Sequence, residues 1–197
     1  SGTQGANVIE TRVRPRVGRA LEAVGRGLAA SGLRPAQLTI LGLLLTVGGA
    51  YLVARDMLIA GGLLVAAGSF VDALDGALAR RLGRAGPRGA FLDSVTDRIS
   101  ETAMFAGIAY LVADDPLLVS LAVLGLGGSL VTSYVRARAE ASGADGRAGL
   151  IGRAERVILY VVGVLTGFLG PMLWAMAVLT WMTVVQRFVA TWRQLES

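Results

Sequence analysis

Six apolar segments, each close to the length of a membrane span, dominate this sequence and limit the folds open to it. A helix needs about 20 mostly apolar residues to cross the hydrocarbon core of a bilayer. The second and third segments fit only if their polar ends project beyond that core, and the fifth is short. Gly170-Pro171 interrupts the last apolar run, which we therefore divide into two helices. The segments are 38–54, 57–79, 90–113, 116–136, 155–170 and 171–190.

The composition agrees with one membrane domain. Hydrophobic residues make up 54% of the 197 residues, and the mean hydropathy is +0.61. The sequence therefore predicts an all-α integral membrane protein with six transmembrane helices, over residues 35–193. It contains neither Cys nor His, which excludes disulfides and thiolate or imidazole metal sites. Acid–base chemistry is left to carboxylates.

The N-terminal region carries arginines among apolar residues at roughly helical spacing. This pattern predicts an amphipathic helix over residues 7–34 that lies on the membrane surface in front of the six spans. The alternative is a solvated basic arm. Residues 1–6 are expected to be a cloning remnant or a disordered end.

The remaining arginines cluster at one set of predicted helix ends, and the opposite ends carry few. By the positive-inside rule, both termini and the stretch from Asp72 to Asp97 should be cytoplasmic, in the inner membrane of a bacterial cell. A net charge of +5 is also compatible with nucleic-acid binding. The apolar spans argue against that, because arginines beside such spans typically face anionic lipid headgroups.

Four aspartates lie at the predicted cytoplasmic ends of the second and third helices. Asp72 and Asp75 are spaced i,i+3, and Asp93 and Asp97 are spaced i,i+4, so each pair shares a helix face. Carboxylates in apolar surroundings repel one another and should hold protons or share cations. Oxygen ligands suit Mg²⁺ or Mn²⁺, and two ions would balance four negative charges. The alternative is that the aspartates only pair with nearby arginines.

A paired-metal carboxylate site at a membrane surface favours displacement at phosphorus, in which metals polarise a diphosphate and one carboxylate takes the proton of an attacking hydroxyl. A protein of another class, a metal transporter or a non-catalytic scaffold, could also bind ions through aspartates. Transport favours ionisable groups near the bilayer midplane, whereas these groups cluster at helix ends.

The spacing Asp72-x₂-Asp75-Gly76-x₂-Ala79-Arg80-x₈-Gly89-x₃-Asp93-x₃-Asp97 resembles, at every position, the signature of the CDP-alcohol phosphotransferase family. The resemblance implies a six-helix fold behind a surface helix. It also implies that Asp72, Asp75 and Asp93 ligate a pair of divalent ions. Asp97 would contribute to the metal site and act as the catalytic base.

The resemblance further implies where a CDP-linked lipid binds. The diphosphate would lie on the metals, and the positions that match the donor site are Ala36, Gln37, Leu38, Thr39, Gly76, Ala79, Arg80 and Gly86. Related enzymes have Asp in place of Ala36 and Thr in place of Gly86, so these two contacts differ here.

Further stretches, 32–39, 133–143, 153–158 and Gln186-Arg187, resemble family members whose acceptor is an inositol phosphate. Their phosphate-binding positions correspond to Ser133, Arg136, Arg156 and Arg187. Forked arginine hydrogen bonds suit a phosphate, although each arginine alone could serve only membrane topology. Related enzymes have Lys in place of Arg136.

The expected reaction transfers the phosphatidyl group of CDP-diacylglycerol to inositol 1-phosphate and releases CMP. Glycerol phosphate is the alternative acceptor, which would make the protein a phosphatidylglycerophosphate synthase. Free inositol would leave the arginines without a partner. The resemblance also implies a homodimer, with the glycine-rich third and fourth helices as a candidate contact.

Overall fold

The computed structural model describes residues 34–83 and 85–196, apart from the side chain of Arg81, and this part of the chain forms six α-helices and no β-strand. The helices are α1 (Pro35–Ala54), α2 (Leu58–Arg81), α3 (Pro87–Leu111), α4 (Pro116–Ala141), α5 (Arg153–Thr166) and α6 (Leu169–Leu195). The predicted surface helix over residues 7–34 lies outside the described residues, except for Arg34. So do residues 1–6.

Four helices, α1, α2, α4 and α6, are long and apolar enough to cross a membrane. Charged residues, among them Asp93, Asp97 and Glu101, interrupt the apolar sequence of α3, and α5 has only 14 residues. The predicted all-helical membrane fold is confirmed. The count of six spans remains a prediction.

Local sequence signals explain where several helices begin. Pro35, Pro87 and Pro116 occupy the first positions of α1, α3 and α4. Proline suits this position because its fixed φ angle is helical and its missing N–H would have had no partner within the helix. Asp115 caps α4, since its Oδ1 accepts hydrogen bonds from the backbone N–H groups of Leu117 and Leu118, at 2.9 and 3.1 Å.

The break between the last two helices is not where the sequence predicted it. α5 ends at Thr166, Gly167 adopts a left-handed conformation with φ of +74°, and α6 begins at Leu169. Pro171 lies in the first turn of α6, where a missing N–H interrupts no intrahelical hydrogen bond. The predicted boundary at Gly170-Pro171 is therefore wrong, because the glycine at 167 makes the turn.

Glycines bring α1 and α2 into close contact. A Cβ atom added at Gly42 would lie 2.8 Å from the carbonyl oxygen of Gly68, and one at Gly49 would lie 2.8 Å from that of Gly61. These glycines accordingly serve close helix packing, as the sequence predicts. The Gly42 position also lies 3.1 Å from Cβ of Asp72, so this packing places one of the site's carboxylates against α1.

The buried core lies between the helices. Val53, Val65, Ile108, Tyr160 and Leu173 come from five different helices and are fully buried. The hydroxyl of Tyr160 donates a 3.0 Å hydrogen bond to the carbonyl oxygen of Met104, so its polar atom is satisfied. A smaller cluster of Leu38, Leu74 and Leu78 joins α1 to α2 beside the aspartates and supports that end of the bundle.

Candidate metal site and its surroundings

Three of the four predicted aspartates converge at one end of the bundle, and the fourth, Asp97, lies beside them. Asp72 and Asp75 lie near the end of α2, Asp93 and Asp97 lie near the start of α3, and residues 82–86 connect the two helices. One carboxylate oxygen from each of Asp72, Asp75 and Asp93 lies within 4.8 Å of the other two. The helix ends therefore bring together groups that are up to 21 positions apart in the sequence.

These three carboxylates fit a divalent cation by donor type and spacing. Mg²⁺ and Mn²⁺ prefer oxygen ligands. Asp72 and Asp75 are only 7% and 6% exposed, so both negative charges are largely removed from water and require positive partners. The metal role of Asp72, Asp75 and Asp93 remains a prediction that this geometry favours.

Asp97 stands apart from that group of three within the described residues. It is 8% exposed. Its Oδ2 accepts a 3.2 Å hydrogen bond from Nη2 of Arg98, and its Oδ1 lies 2.7 Å from Nη2 of Arg153. Two arginines therefore orient the carboxylate that was predicted to be the base. Its roles as base and as metal ligand remain predictions.

Arg153 is a site residue that sequence reasoning missed, as is Glu101. It is the first residue of α5, and its guanidinium forms a fork, with Nη1 2.6 Å from Oδ2 of Asp72 and Nη2 2.7 Å from Oδ1 of Asp97. The fork links α5 to both α2 and α3. Burial lowers the pKa of Arg153, but the carboxylates of Asp97 and Asp72 outweigh this and hold the pKa above its ordinary value. Arg153 is therefore a permanent cation.

The predicted donor residues on α1 divide into two pairs. Ala36 and Gln37 are exposed, and Gln37 caps α1, because its Oε1 accepts a 2.8 Å hydrogen bond from the backbone N–H of Arg34. Leu38 and Thr39 are buried. The Thr39 hydroxyl donates a short hydrogen bond to Oδ2 of Asp75, so this residue holds a predicted metal ligand in place.

The predicted donor residues on α2 share the helix face of Asp72 and Asp75. Gly76 lies beside the side chain of Arg80, since a Cβ at Gly76 would be 3.4 Å from its Nη1. Arg80 is exposed, and Ala79 is partly buried. Gly86 caps α3 and is exposed, with no atom within 4 Å of an added Cβ. The face beside the carboxylates is therefore open to a ligand.

Two of the predicted phosphate-binding arginines are buried and have partners within the protein. Nε and Nη2 of Arg156 donate to Oε1 of Glu101 at 2.8 and 2.5 Å, and both side chains are less than 5% exposed. Arg187 donates from Nε to the carbonyl oxygen of Ala148 and from Nη1 to that of Thr132, both at 2.8 Å. Each guanidinium thus joins helices or loops as well as carrying charge.

The other two predicted acceptor residues are more accessible. Arg136 is half exposed and pairs with Glu140 at 2.8 Å, and the hydroxyl of Ser133 donates to the carbonyl oxygen of Ser129 at 3.0 Å. Arg136 and Arg156 both act electrostatically on Arg187. The three arginines therefore lie near one another, whereas their binding of a phosphate remains a prediction.

Alternating charges connect the aspartates to this arginine group. Asp97 and Glu101 on α3 face Arg153 and Arg156 on α5, and Arg98 contacts both carboxylates, at 3.2 Å from Asp97 and 3.6 Å from Glu101. The spacings, i,i+4 on α3 and i,i+3 on α5, are the only sequence signal for this pairing. Local sequence could not reveal that the two faces meet.

An apolar groove of about 480 Å³ runs between α2 and α5. Ala66, Ser69, Phe70 and Ala73 line one side, and Val157 and Ile158 are among the residues on the other. Arg153 also lines this groove. The groove therefore joins an apolar surface to the residue that holds the carboxylates.

Fold and site together define a helical membrane protein with a carboxylate cluster at one end of its bundle. The sequence matches the CDP-alcohol phosphatidyltransferase family over residues 33–189. The chain belongs to this family, and it is accordingly a transferase.

Relatives of known activity agree in the product that their names state. Archaetidylinositol phosphate synthase of Pyrococcus horikoshii is 38% identical over 189 residues, which cover 94% of this chain and 98% of the relative. Phosphatidylinositol phosphate synthase of Mycobacterium bovis is 39% identical over 183 residues, which cover 86% of this chain and 84% of the relative. The two names state different lipids, and both contain inositol phosphate.

Crystal structures of the Mycobacterium tuberculosis phosphatidylinositol phosphate synthase share this fold. The structure with CDP-DAG bound has a TM-score of 0.82 and 38% identity, and the match covers 88% of this chain and 94% of that one. The structure in complex with manganese and citrate has a TM-score of 0.81 at 38% identity, and the match covers 87% and 88% of the two chains.

Proposed function

We propose that this protein is a phosphatidylinositol phosphate synthase, which transfers the phosphatidyl group of CDP-diacylglycerol to inositol 1-phosphate and releases CMP. The observation that carries the proposal is the convergence of the Asp72, Asp75 and Asp93 carboxylates beside Asp97, in a chain of this family. The inositol phosphate in the names of the relatives supports the acceptor. The CDP-DAG bound to the mycobacterial structure supports the donor.

Asp72, Asp75 and Asp93, joined by Asp97, would hold divalent metal. Magnesium is the proposed ion, with two ions per site and Mn²⁺ as a substitute. The mycobacterial complex with manganese supports a divalent metal. Bound at these carboxylates, such ions would neutralise a diphosphate and stabilise its departure.

Asp97 is the proposed base. Its carboxylate accepts the proton of the inositol phosphate hydroxyl as that oxygen bonds to the lipid-side phosphorus of the donor. The bond from this phosphorus to the oxygen of CMP breaks, and CMP leaves with the electron pair. The contact of Arg98 with Asp97 holds the carboxylate in one orientation, which favours proton transfer.

The donor would lie along the open face of α2 and the start of α1. Its nucleotide would contact Ala36, Gln37, Gly76, Ala79, Arg80 and Gly86, while Leu38 and Thr39 support this surface from within. An acyl chain fits the apolar groove between α2 and α5, which begins beside the carboxylates at Arg153.

The acceptor phosphate would bind at Ser133, Arg136, Arg156 and Arg187. A guanidinium has five N–H donors. The contacts within the described residues use two nitrogens of Arg156 and two of Arg187, so a third nitrogen of each remains for a phosphate oxygen. A glycerol phosphate could use the same charge, which makes phosphatidylglycerophosphate synthesis the second candidate.

We further propose a cytoplasmic orientation of the site in a bacterial inner membrane, and a homodimer. The orientation is supported by the arginines that cluster at the site end of the bundle. The dimer is supported by the exposed apolar side chains of α3 and α4, among them Val95, Ile99, Val123 and Leu124. The proposed partners are therefore the lipid donor, inositol 1-phosphate and the surrounding membrane lipid, and the proposal includes no nucleic acid.

CMP release by the purified protein in detergent tests this function. With CDP-diacylglycerol and Mg²⁺, we expect release with inositol 1-phosphate and little or none with glycerol 3-phosphate or free inositol. Asp97→Asn, which keeps the shape of the side chain and removes the base, serves as the inactive control. Turnover only with glycerol 3-phosphate would overturn the acceptor assignment, and full activity of Asp97→Asn would overturn the role of the base.

A further inference from the structure

Arg153 contacts one oxygen of each of two carboxylates, Asp72 and Asp97, that are proposed to hold metal. Its Nη1 lies 2.6 Å from Oδ2 of Asp72, and its Nη2 lies 2.7 Å from Oδ1 of Asp97. A divalent cation bound by the same carboxylates would meet the guanidinium charge at close range in a site with little water, where like charges repel strongly. We propose that Arg153 is a positioning residue whose guanidinium competes with a divalent cation for Asp72 and Asp97.

Arg153 does not compete with a cation equally at the four carboxylates. Asp72 belongs to two sets, because it converges with Asp75 and Asp93 and also contacts Arg153. Asp97 contacts Arg153 and lies outside that convergent set. Arg153 also acts electrostatically on Asp93, whereas the charged neighbours of Asp75 are the carboxylates of Asp72 and Asp93. A first cation therefore meets least opposition at Asp75. Recruitment of Asp97 as a ligand requires that the guanidinium withdraw.

Arg153 has room to withdraw. Its side chain is 28% exposed and lines the groove between α2 and α5. Arg156, one turn further along α5, is 3% exposed and enclosed with Glu101. A change of side-chain rotamer can therefore move the guanidinium of Arg153 into the groove without a shift of α5.

A donor bound in this groove would give the displaced guanidinium a new partner. The diphosphate of a CDP-linked lipid is anionic, and guanidinium–phosphate pairs form strong, forked hydrogen bonds. Arg153 would thus leave the carboxylates as metal and donor arrive together. This inference rests on the metal site of the proposed function and adds a competing group to it.

Titration of the purified protein with Mn²⁺, followed by the electron paramagnetic resonance signal of the free ion, tests the competition. Arg153→Gln removes the charge and keeps a polar side chain, so we expect a Kd for Mn²⁺ at least about tenfold lower than that of the unaltered protein. Arg153→Lys reaches only one carboxylate and should give an intermediate Kd. Arg147→Gln is the matched control, because Arg147 precedes Arg153 by six positions in the sequence and has a 77% exposed side chain.

The outcomes separate this inference from the proposed function. Mn²⁺ binding by the unaltered protein, with an equal or higher Kd in Arg153→Gln and Arg153→Lys, would overturn the competition alone. Absence of Mn²⁺ binding in every variant would contradict the metal site of the proposed function. Should Arg153→Gln fail to fold, Arg153→Lys decides, because a Kd no lower than that of the unaltered protein would also overturn the competition.

Discussion

At the scale of single residues, the site depends on side chains that hold the aspartates as much as on the aspartates themselves. Thr39 bonds to Asp75, and Arg98 and Arg153 contact Asp97. Such supporting contacts fix the orientation of a ligand or base before any substrate binds. The Thr39 contact should therefore contribute to metal affinity without touching the metal, whereas the charge of Arg153 opposes a bound cation.

Thr39→Val tests this support. The substitution keeps the shape of the side chain and removes the hydroxyl that donates to Asp75, so we expect metal affinity to fall by about 10- to 100-fold. The measurement is the Mg²⁺ concentration that gives half-maximal CMP release. Thr39→Ser keeps the hydroxyl and should behave nearly as the unaltered protein. Equal Mg²⁺ requirements for Thr39→Val and Thr39→Ser would remove Thr39 from this role.

The residues that sequence could predict are those whose spacing is local. Asp72 with Asp75, and Asp93 with Asp97, are within one helical turn of each other, so their shared faces follow from helix geometry. Arg153 lies 81 positions from Asp72, and no local pattern connects them. For Thr39, a predicted donor-site residue, local sequence does not show that its hydroxyl donates to the carboxylate of Asp75, 36 positions away.

At the scale of helices, two kinds of contact hold the bundle together. Glycines let α1 and α2 approach at Gly42 and Gly68. Between α3 and α5 the described contacts include ion pairs, chiefly that of Glu101 with Arg156. A buried charge that loses its partner is costly, typically about 3–5 kcal/mol. This pair should therefore matter for stability whether or not Arg156 also binds the acceptor.

Arg156→Gln should lower the thermal unfolding temperature by several degrees, because it leaves the buried carboxylate of Glu101 with only the more distant and more exposed Arg98, at 3.6 Å. The double variant Glu101→Gln/Arg156→Gln removes both charges and should recover part of the loss. The measurement is thermal unfolding in detergent. An unfolding temperature unchanged in Arg156→Gln would contradict a structural role, and would leave acceptor binding as the role of this arginine.

Helix positions were mostly predictable because long apolar runs leave few alternatives in a membrane. One exception is the break between α5 and α6. Gly167 adopts a positive φ angle, which ends α5 before Gly170-Pro171. Proline is a strong sequence signal for a helix break, but it is tolerated in the first turn of a helix. The break predicted from Pro171 therefore lies C-terminal to the observed one.

At the scale of the whole molecule, the fold brings one polar end and one apolar groove together. The carboxylates, the arginines near Arg187 and the end of the groove at Arg153 all belong to the same end of the bundle. A reaction between a lipid-linked diphosphate and a water-soluble phosphate needs this combination. The acyl chains remain in an apolar environment while the reacting groups meet charged side chains.

The most direct test of this account is to identify the lipid that the purified protein makes from CDP-diacylglycerol and Mg²⁺ when inositol 1-phosphate, glycerol 3-phosphate and inositol are present at equal concentrations. Mass spectrometry of the extracted lipid distinguishes the three products. The account predicts phosphatidylinositol phosphate as the main product, formed together with CMP. Phosphatidylglycerophosphate or phosphatidylinositol as the main product would contradict it.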